Sequence, residues 1–232
     1  MLLEACLDSL ELAARAEQGG AGRIELCDRL DVGGTTPTRG LIERVVGAVG
    51  IPVFPIIRPR GGDFFHSADE VESMKRDVEV AAKAGAAGIV LGILHPDRTI
   101  DAERTRSVMD VAPHLPATFH LAFDQAPDPG LALETLVHIG IARVLTRGGG
   151  RTALDGVEGL RRLVGQSAGR IHIMAGGGVR EDNAEEIVRR SGVREIHSRG
   201  TAVAEMVAAA KRGTLNPRSD RNTRTNPDTM RG

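Results

Sequence analysis

The chain has 232 residues, enough for one large α/β domain with a full apolar core. Against 31 Asp and Glu stand 30 Lys and Arg, and Trp and Tyr are absent, so neither a basic nucleic-acid surface nor a base-stacking platform is expected. No apolar stretch reaches the length of a membrane span, so no membrane partner is expected either.

The first element is a strand over residues 2–6, ending in Glu4-Ala5-Cys6. A helical stretch over 9–18 follows and closes on Gly19-Gly20. The second strand, 23–27, ends in Glu25-Leu26-Cys27. Residues two apart in a strand share a face, so each Glu-x-Cys triplet sends a carboxylate and a thiol to one side. Further strands are expected over 52–58, 88–91, 117–120, 143–146, 170–174 and 194–197. The last carries Glu195-Ile196-His197, a third copy of the spacing. Amphipathic helices alternate with these strands over 38–49, 68–84, 102–112, 129–139, 153–166, 182–190 and 201–211. Asp8, Ser67, Asp101, Asp128 and Asp182 are placed to cap helix starts, and Gly85, Gly140 and Gly192 to end helices.

Strict strand–helix alternation predicts a parallel sheet with helices outside. Eight such units in this length predict an α/β fold of the (β/α)8 TIM barrel type, whose usual size is roughly 250 residues. A doubly wound open sheet is the alternative, and it would leave the first and last strands apart. The barrel is assigned residues 1–212. Residues 213–232 are polar, without an apolar period, and are expected to form a disordered tail.

In such a barrel the chemistry sits at the carboxyl ends of the strands. Closure brings Glu4, Glu25 and Glu195 together, with Cys6, Cys27 and His197 nearer the rim. Arg58, at the end of the third strand, is the expected partner of Glu25. His120 lies across the barrel as acid or base, with Asp124 to orient it. Arg58 and Arg60, in a glycine-hinged loop ending in Phe64-Phe65, are suited to clamp a carboxylate or phosphate. Four of the five phenylalanines, Phe64, Phe65, Phe119 and Phe123, are expected near this rim. Gly176-Gly177-Gly178 after the seventh strand, with Ser198 and its neighbours after the eighth, mark an anion site. The only lysines, Lys75, Lys83 and Lys211, lie on helices, so Schiff-base chemistry is not expected.

Cys6 and Cys27 are the only cysteines, and three readings stay open for them. They can be small buried hydrophobes, a disulfide between neighbouring strands, or a pair of soft ligands for Cu(I) with His197 as a third donor. Two cysteines in a chain that opens without a basic leader point to a reducing, cytoplasmic setting.

The stretches GGAGRIELCDRLDVGGTTPTRGLI, IPVFPIIRPRGGDFFHS, ATFHLAFD, IMAGGGV and EIHS resemble the CutC family, proteins associated with copper homeostasis. The resemblance implies a (β/α)8 barrel, a cytoplasmic protein, homo-oligomers in some members, and Cu(I) ligation by cysteines at the positions of Cys6 and Cys27. Two positions depart from the family pattern. Leu121 stands where the family carries arginine, and Arg147 where it carries serine, so Arg147 is expected to place a guanidinium in the space the other arginine leaves. Two functions follow: a copper-binding protein, or an enzyme of isomerase, lyase or aldol type acting on a small phosphorylated or carboxylated metabolite.

Overall fold

The structure, a computed structural model, describes residues 1–199 and 202–215. Its elements run β1 (Leu2–Leu7), α1 (Leu10–Gln18), β2 (Arg23–Leu26), α2 (Arg39–Val46), β3 (Val53–Pro55), α3 (Ala68–Lys83), β4 (Ile89–Leu91) and α4 (Ala102–Met109). They continue with β5 (Ala117–Phe119), α5 (Pro129–His138), β6 (Arg143–Thr146), α6 (Val157–Ser167), β7 (His172–Ala175), α7 (Ala184–Ser191), β8 (Glu195–Ser198) and α8 (Val203–Leu215). Short 3-10 helices over Leu30–Val32 and Leu121–Gln125 lie in the loops after β2 and β5.

All strand pairs are parallel, and β1 pairs with both β2 and β8. The ring is therefore closed between first and last strands, as the TIM-barrel reading requires. Its thinnest seam lies between β3 and β4, which share one parallel bridge, Ile56 with Val90, and a 2.7 Å bond from the Ile57 N–H to the Val90 carbonyl. Pro55 brings no N–H to this seam. The expected third strand is accordingly shorter than 52–58.

Helix starts follow side-chain chemistry. The hydroxyls of Ser9 and Thr38, and the carboxylates of Asp101 and Asp128, accept from first-turn N–H groups of α1, α2, α4 and α5. Ser67 and Glu70 form a reciprocal capping box on α3. Asp8 lies one residue before the cap of α1, and α7 begins after Asn183, so Asp8 and Asp182 cap nothing. α8 continues through Leu215, past the boundary expected at 212; the rest of the expected tail lies outside the described residues.

The main core lies between sheet and helices, with Ile24, Leu26, Leu91 and Ile196 facing Val45, Met74, Leu133 and Leu160. A second, small apolar cluster of Cys6, Cys27, Phe54, Ile56 and Val90 lies inside the ring. Phe119 and Phe123 belong to the main core and are essentially fully buried, so only Phe64 of the expected phenylalanine rim faces the central cavity. No helix among the described residues is long and apolar enough to cross a membrane.

Candidate functional site

Register fixes the layers inside the barrel. Glu4 lies beside Arg23 on one side and His197 on the other, while Cys6 lies beside Glu25. Each strand is thus offset from the next, and acid, base and thiol alternate around the ring rather than forming an acidic layer under a sulfur layer. The stagger expected of adjacent barrel strands produces this mixture.

The deepest layer is a buried charge lattice. Arg23 donates from Nε to Glu4 and from Nη2 to Glu195 at 2.6 Å. Arg143, from the start of β6, donates to the same Glu195 oxygen at 3.0 Å. The Phe54 ring packs against both guanidiniums, its centre 5.2 Å from Arg23 and 5.4 Å from Arg143. Burial would push the pKa of Glu4 up, but the bond to His197 and the charge of Arg23 hold it down at about 2. Glu195 is also held below its ordinary value, burial being outweighed by Arg23 and Arg143.

Above this lattice sit Glu25 and His197. The His197 Nδ1 is 2.9 Å from Glu4 and its Nε2 is 3.6 Å from Glu25. Burial opposes the imidazolium, yet the charge of Glu25 and bonds to Cys6 and Glu4 hold its pKa well above the usual histidine range. Burial pushes Glu25 well above the carboxylate range, reinforced by Cys6. Arg58 is not its partner: its Nη atoms donate to the carbonyls of Val32, Gly34 and Gly62. Arg23 and Arg143 are the arginines that hold the inward carboxylates. Arg23 was signalled by its spacing, two residues before Glu25 on the same face.

The two thiols are free and their sulfurs lie 3.8 Å apart, beyond a covalent S–S bond of about 2.05 Å. Both are buried, and both have raised pKa values. For Cys6 the causes are the contact with Cys27 and then burial; for Cys27, burial and nearby carboxylates outweigh an opposing bond from Cys6. Cys6, Cys27 and Glu25 bring one donor atom each within 4.8 Å of one another, as do Glu4, Glu25 and His197. No lysine approaches this region.

Glu25 and His197 also face a cavity of about 650 Å³ at the carboxyl ends of the strands. Arg58, Arg147, Arg151, Arg180 and Arg199 line it, together with Phe64, His120, Gly177, Gly178 and Ser198. Gly177 and Gly178 adopt φ of 88° and 79°, a backbone that the glycines make available. Arg60 is not part of this wall; it donates to Glu70, Asp63 and the Phe65 carbonyl and so fixes its own loop. Gly176 is also outside the lining, packed so that a Cβ there would lie 2.4 Å from Leu145. Asp124 does not orient His120. It accepts from Thr146 Oγ1, Arg147 N and Arg147 Nε, because the short 3-10 helix turns it toward β6. Leu121 and Arg147 both reach the cavity.

His120 accepts the Ala122 N–H at Nδ1, 3.2 Å away, which assigns its proton to Nε2. Burial, with the charges of Arg58 and His66, pushes its pKa down to about 3. The folded protein therefore keeps this ring neutral, while the unfolded chain takes up a proton below about pH 6.5. Stability should be fully present above that pH and fall as the pH drops toward 3. Between pH 7 and 5.5 the loss from His120 is about 1 kcal/mol. Unfolding free energies of wild type and His120→Gln from urea titrations should converge by that amount over this range; parallel curves would show that His120 is not held neutral.

The sequence model of the CutC family matches residues 1–202. A human relative, copper homeostasis protein cutC homolog, is 50% identical over 196 residues, covering 84% of this chain and 72% of its own length. A family protein CutC from Photobacterium profundum is 43% identical over 215 residues, covering 92% and 88%. A crystal structure described as the putative copper homeostasis protein CutC from Streptococcus agalactiae superposes with a TM-score of 0.82 at 35% identity, covering 87% of this chain and 99% of that one.

Proposed function

The chain belongs to the CutC family, and from that membership we propose that it acts in copper homeostasis by binding one Cu(I) ion between Cys6 and Cys27. The observation that carries this reading is the 3.8 Å separation of the two buried sulfurs. Two metal–sulfur bonds of about 2.3 Å span that distance when bent, which leaves room for a third donor. Glu25 stands beside both thiols, with His197 next to it. Two soft sulfurs in a buried setting suit Cu(I) better than a hard cation. Binding would deprotonate thiols that the free protein keeps protonated, so affinity should rise with pH. Free thiols persist in reducing compartments, which favours a cytoplasmic protein, and homo-oligomer formation is carried over with the family.

Competition against a coloured Cu(I) chelator tests this. We expect wild type to withdraw one equivalent. Cys6→Ser and Cys27→Ser should each weaken binding by more than the roughly 10–100-fold that losing a supporting residue costs a metal site. Unchanged competition in the Cys6→Ser/Cys27→Ser double variant would remove the assignment.

A second reading is favoured by the cavity itself. Among the described residues five arginines line it against a single carboxylate, Glu25, in a chain whose net charge is −1. Such a mouth concentrates positive potential where a small phosphorylated or carboxylated metabolite would enter. Arg147, held by Asp124, supplies the guanidinium on the side where Leu121 supplies none. Glu25 and His197 at the floor are the groups placed for proton transfer to such a ligand.

A further inference from the structure

Two buried donors on residues that line this cavity have no acceptor among the described residues. They are Arg58 Nε and His120 Nε2. Arg58 is 4% exposed and His120 5% exposed, and both line the cavity. Three carbonyls, from Val32, Gly34 and Gly62, take three of the four terminal N–H groups of Arg58 and immobilise its guanidinium, and Nε is the one nitrogen of the three without an acceptor among the described residues. No carboxylate among the described residues pairs with Arg58 at contact distance, Asp63 acting on it only from farther off, and a buried charge ordinarily has a direct partner. His120 is equally fixed. The Ala122 N–H occupies Nδ1, and the backbone of Gly92 lies so close that a Cβ there would be 2.3 Å from Cε1. Phe64 packs on both groups, its ring centre 4.8 Å from that of His120 and 4.9 Å from the Arg58 guanidinium carbon.

Both open groups are donors, and one carries a fixed positive charge. A water would satisfy the hydrogen bonds and leave the charge; an anionic oxygen satisfies both. We propose that Arg58 Nε–H and His120 Nε2–H together receive an oxyanion, a carboxylate or phosphate oxygen of a small metabolite, under the Phe64 ring. The proposal rests on the reading of the cavity as an anion site and names the part that recognises the ligand. His120 is on this account a neutral hydrogen-bond donor, not a base. Neither cysteine lines the cavity, so the oxyanion donors and the copper donors are different residues. Gly177 and Gly178, at the phosphate position usual in this fold, line the same cavity, so a ligand with two anionic ends can engage both them and the donor pair.

The probes are inorganic phosphate, glycolate and phosphoglycolate, titrated into the full chain at low ionic strength. Nitrogen-15 spectra of the histidine side chains report on the pair directly. At least one probe should shift the His120 Nε2 resonance and slow the exchange of its proton. Calorimetric affinity for that probe should fall roughly 10–100-fold in His120→Leu, the worth of a hydrogen bond to a charged group, and return to within about threefold of wild type in His120→Gln, which keeps an N–H there. Glycolate against phosphate distinguishes the carboxylate from the phosphate source. A probe that binds wild type and His120→Leu equally, without moving the His120 signal, leaves an anion cavity and removes the pair as its receiver. No binding of any of the three removes both.

Discussion

Arg23→Met should cost this protein about 3–5 kcal/mol of stability, the largest single-residue effect expected outside the apolar core. Arg23 is buried and is the one guanidinium that touches both Glu4 and Glu195. Removing it leaves Glu4 with His197 alone and Glu195 with Arg143 and a distant His172. The cost is that of two buried carboxylates each left with one cationic partner fewer, not the net worth of the ion pairs, which desolvation largely offsets. A double-mutant cycle separates these contributions. Arg23→Met/Glu4→Gln should recover part of the loss, because the buried carboxylate that has lost its guanidinium is gone. Urea unfolding followed by circular dichroism checks both. Arg23→Met within 1 kcal/mol of wild type would mean the lattice does not hold the barrel floor.

Gly159→Ala should destabilise by about 1–3 kcal/mol or more through overpacking. A Cβ on Gly159 would lie 1.8 Å from the Gly148 carbonyl oxygen, and one on Gly156 would lie 1.8 Å from the Arg147 carbonyl oxygen. The first turn of α6 is thus pressed against the backbone that carries Arg147 into the cavity. Backbone cannot swing aside as a side chain can, so the methyl must push the loop away. Gly165→Ala is the internal control, on the same helix with nothing within 4 Å of its Cβ. It should stabilise by roughly 0.5–1 kcal/mol, the ordinary gain of Gly to Ala in a helix. Equal urea midpoints for the two alanine variants would refute the close packing of α6 on the loop.

The ring and its contents differed in how far they could be read from the residues. Strand–helix alternation carried the fold, because a period-two apolar run and a 3.6-residue period leave different marks in sequence. The Glu-x-Cys and Glu-x-His spacing placed Glu4, Cys6, Glu25, Cys27, Glu195 and His197 inside the barrel for the same reason. The partners were harder. Arg23 carried a signal, since Arg23, Glu25 and Cys27 alternate on one face, but Arg58 was nearer the expected site and drew the assignment. Arg143 carried none: it reaches Glu195 from two strands away across β7, and only the curvature of the closed ring brings them together. Asp124 was misplaced because the chain tightens into a 3-10 turn over Leu121–Gln125, just after β5, and its side chain swings to β6. The tautomer of His120 depends on one backbone N–H from the same turn. Such details belong to local backbone geometry that composition and spacing do not encode.

The central claim, that the paired sulfurs beside Glu25 take Cu(I), is most directly tested by the copper K-edge absorption spectrum of the protein loaded with one equivalent of Cu(I) under reducing conditions. Two sulfur scatterers in wild type, reduced to one in Cys27→Ser, are the predicted result. A first shell of nitrogen and oxygen only, or one indifferent to the loss of Cys27, would contradict it.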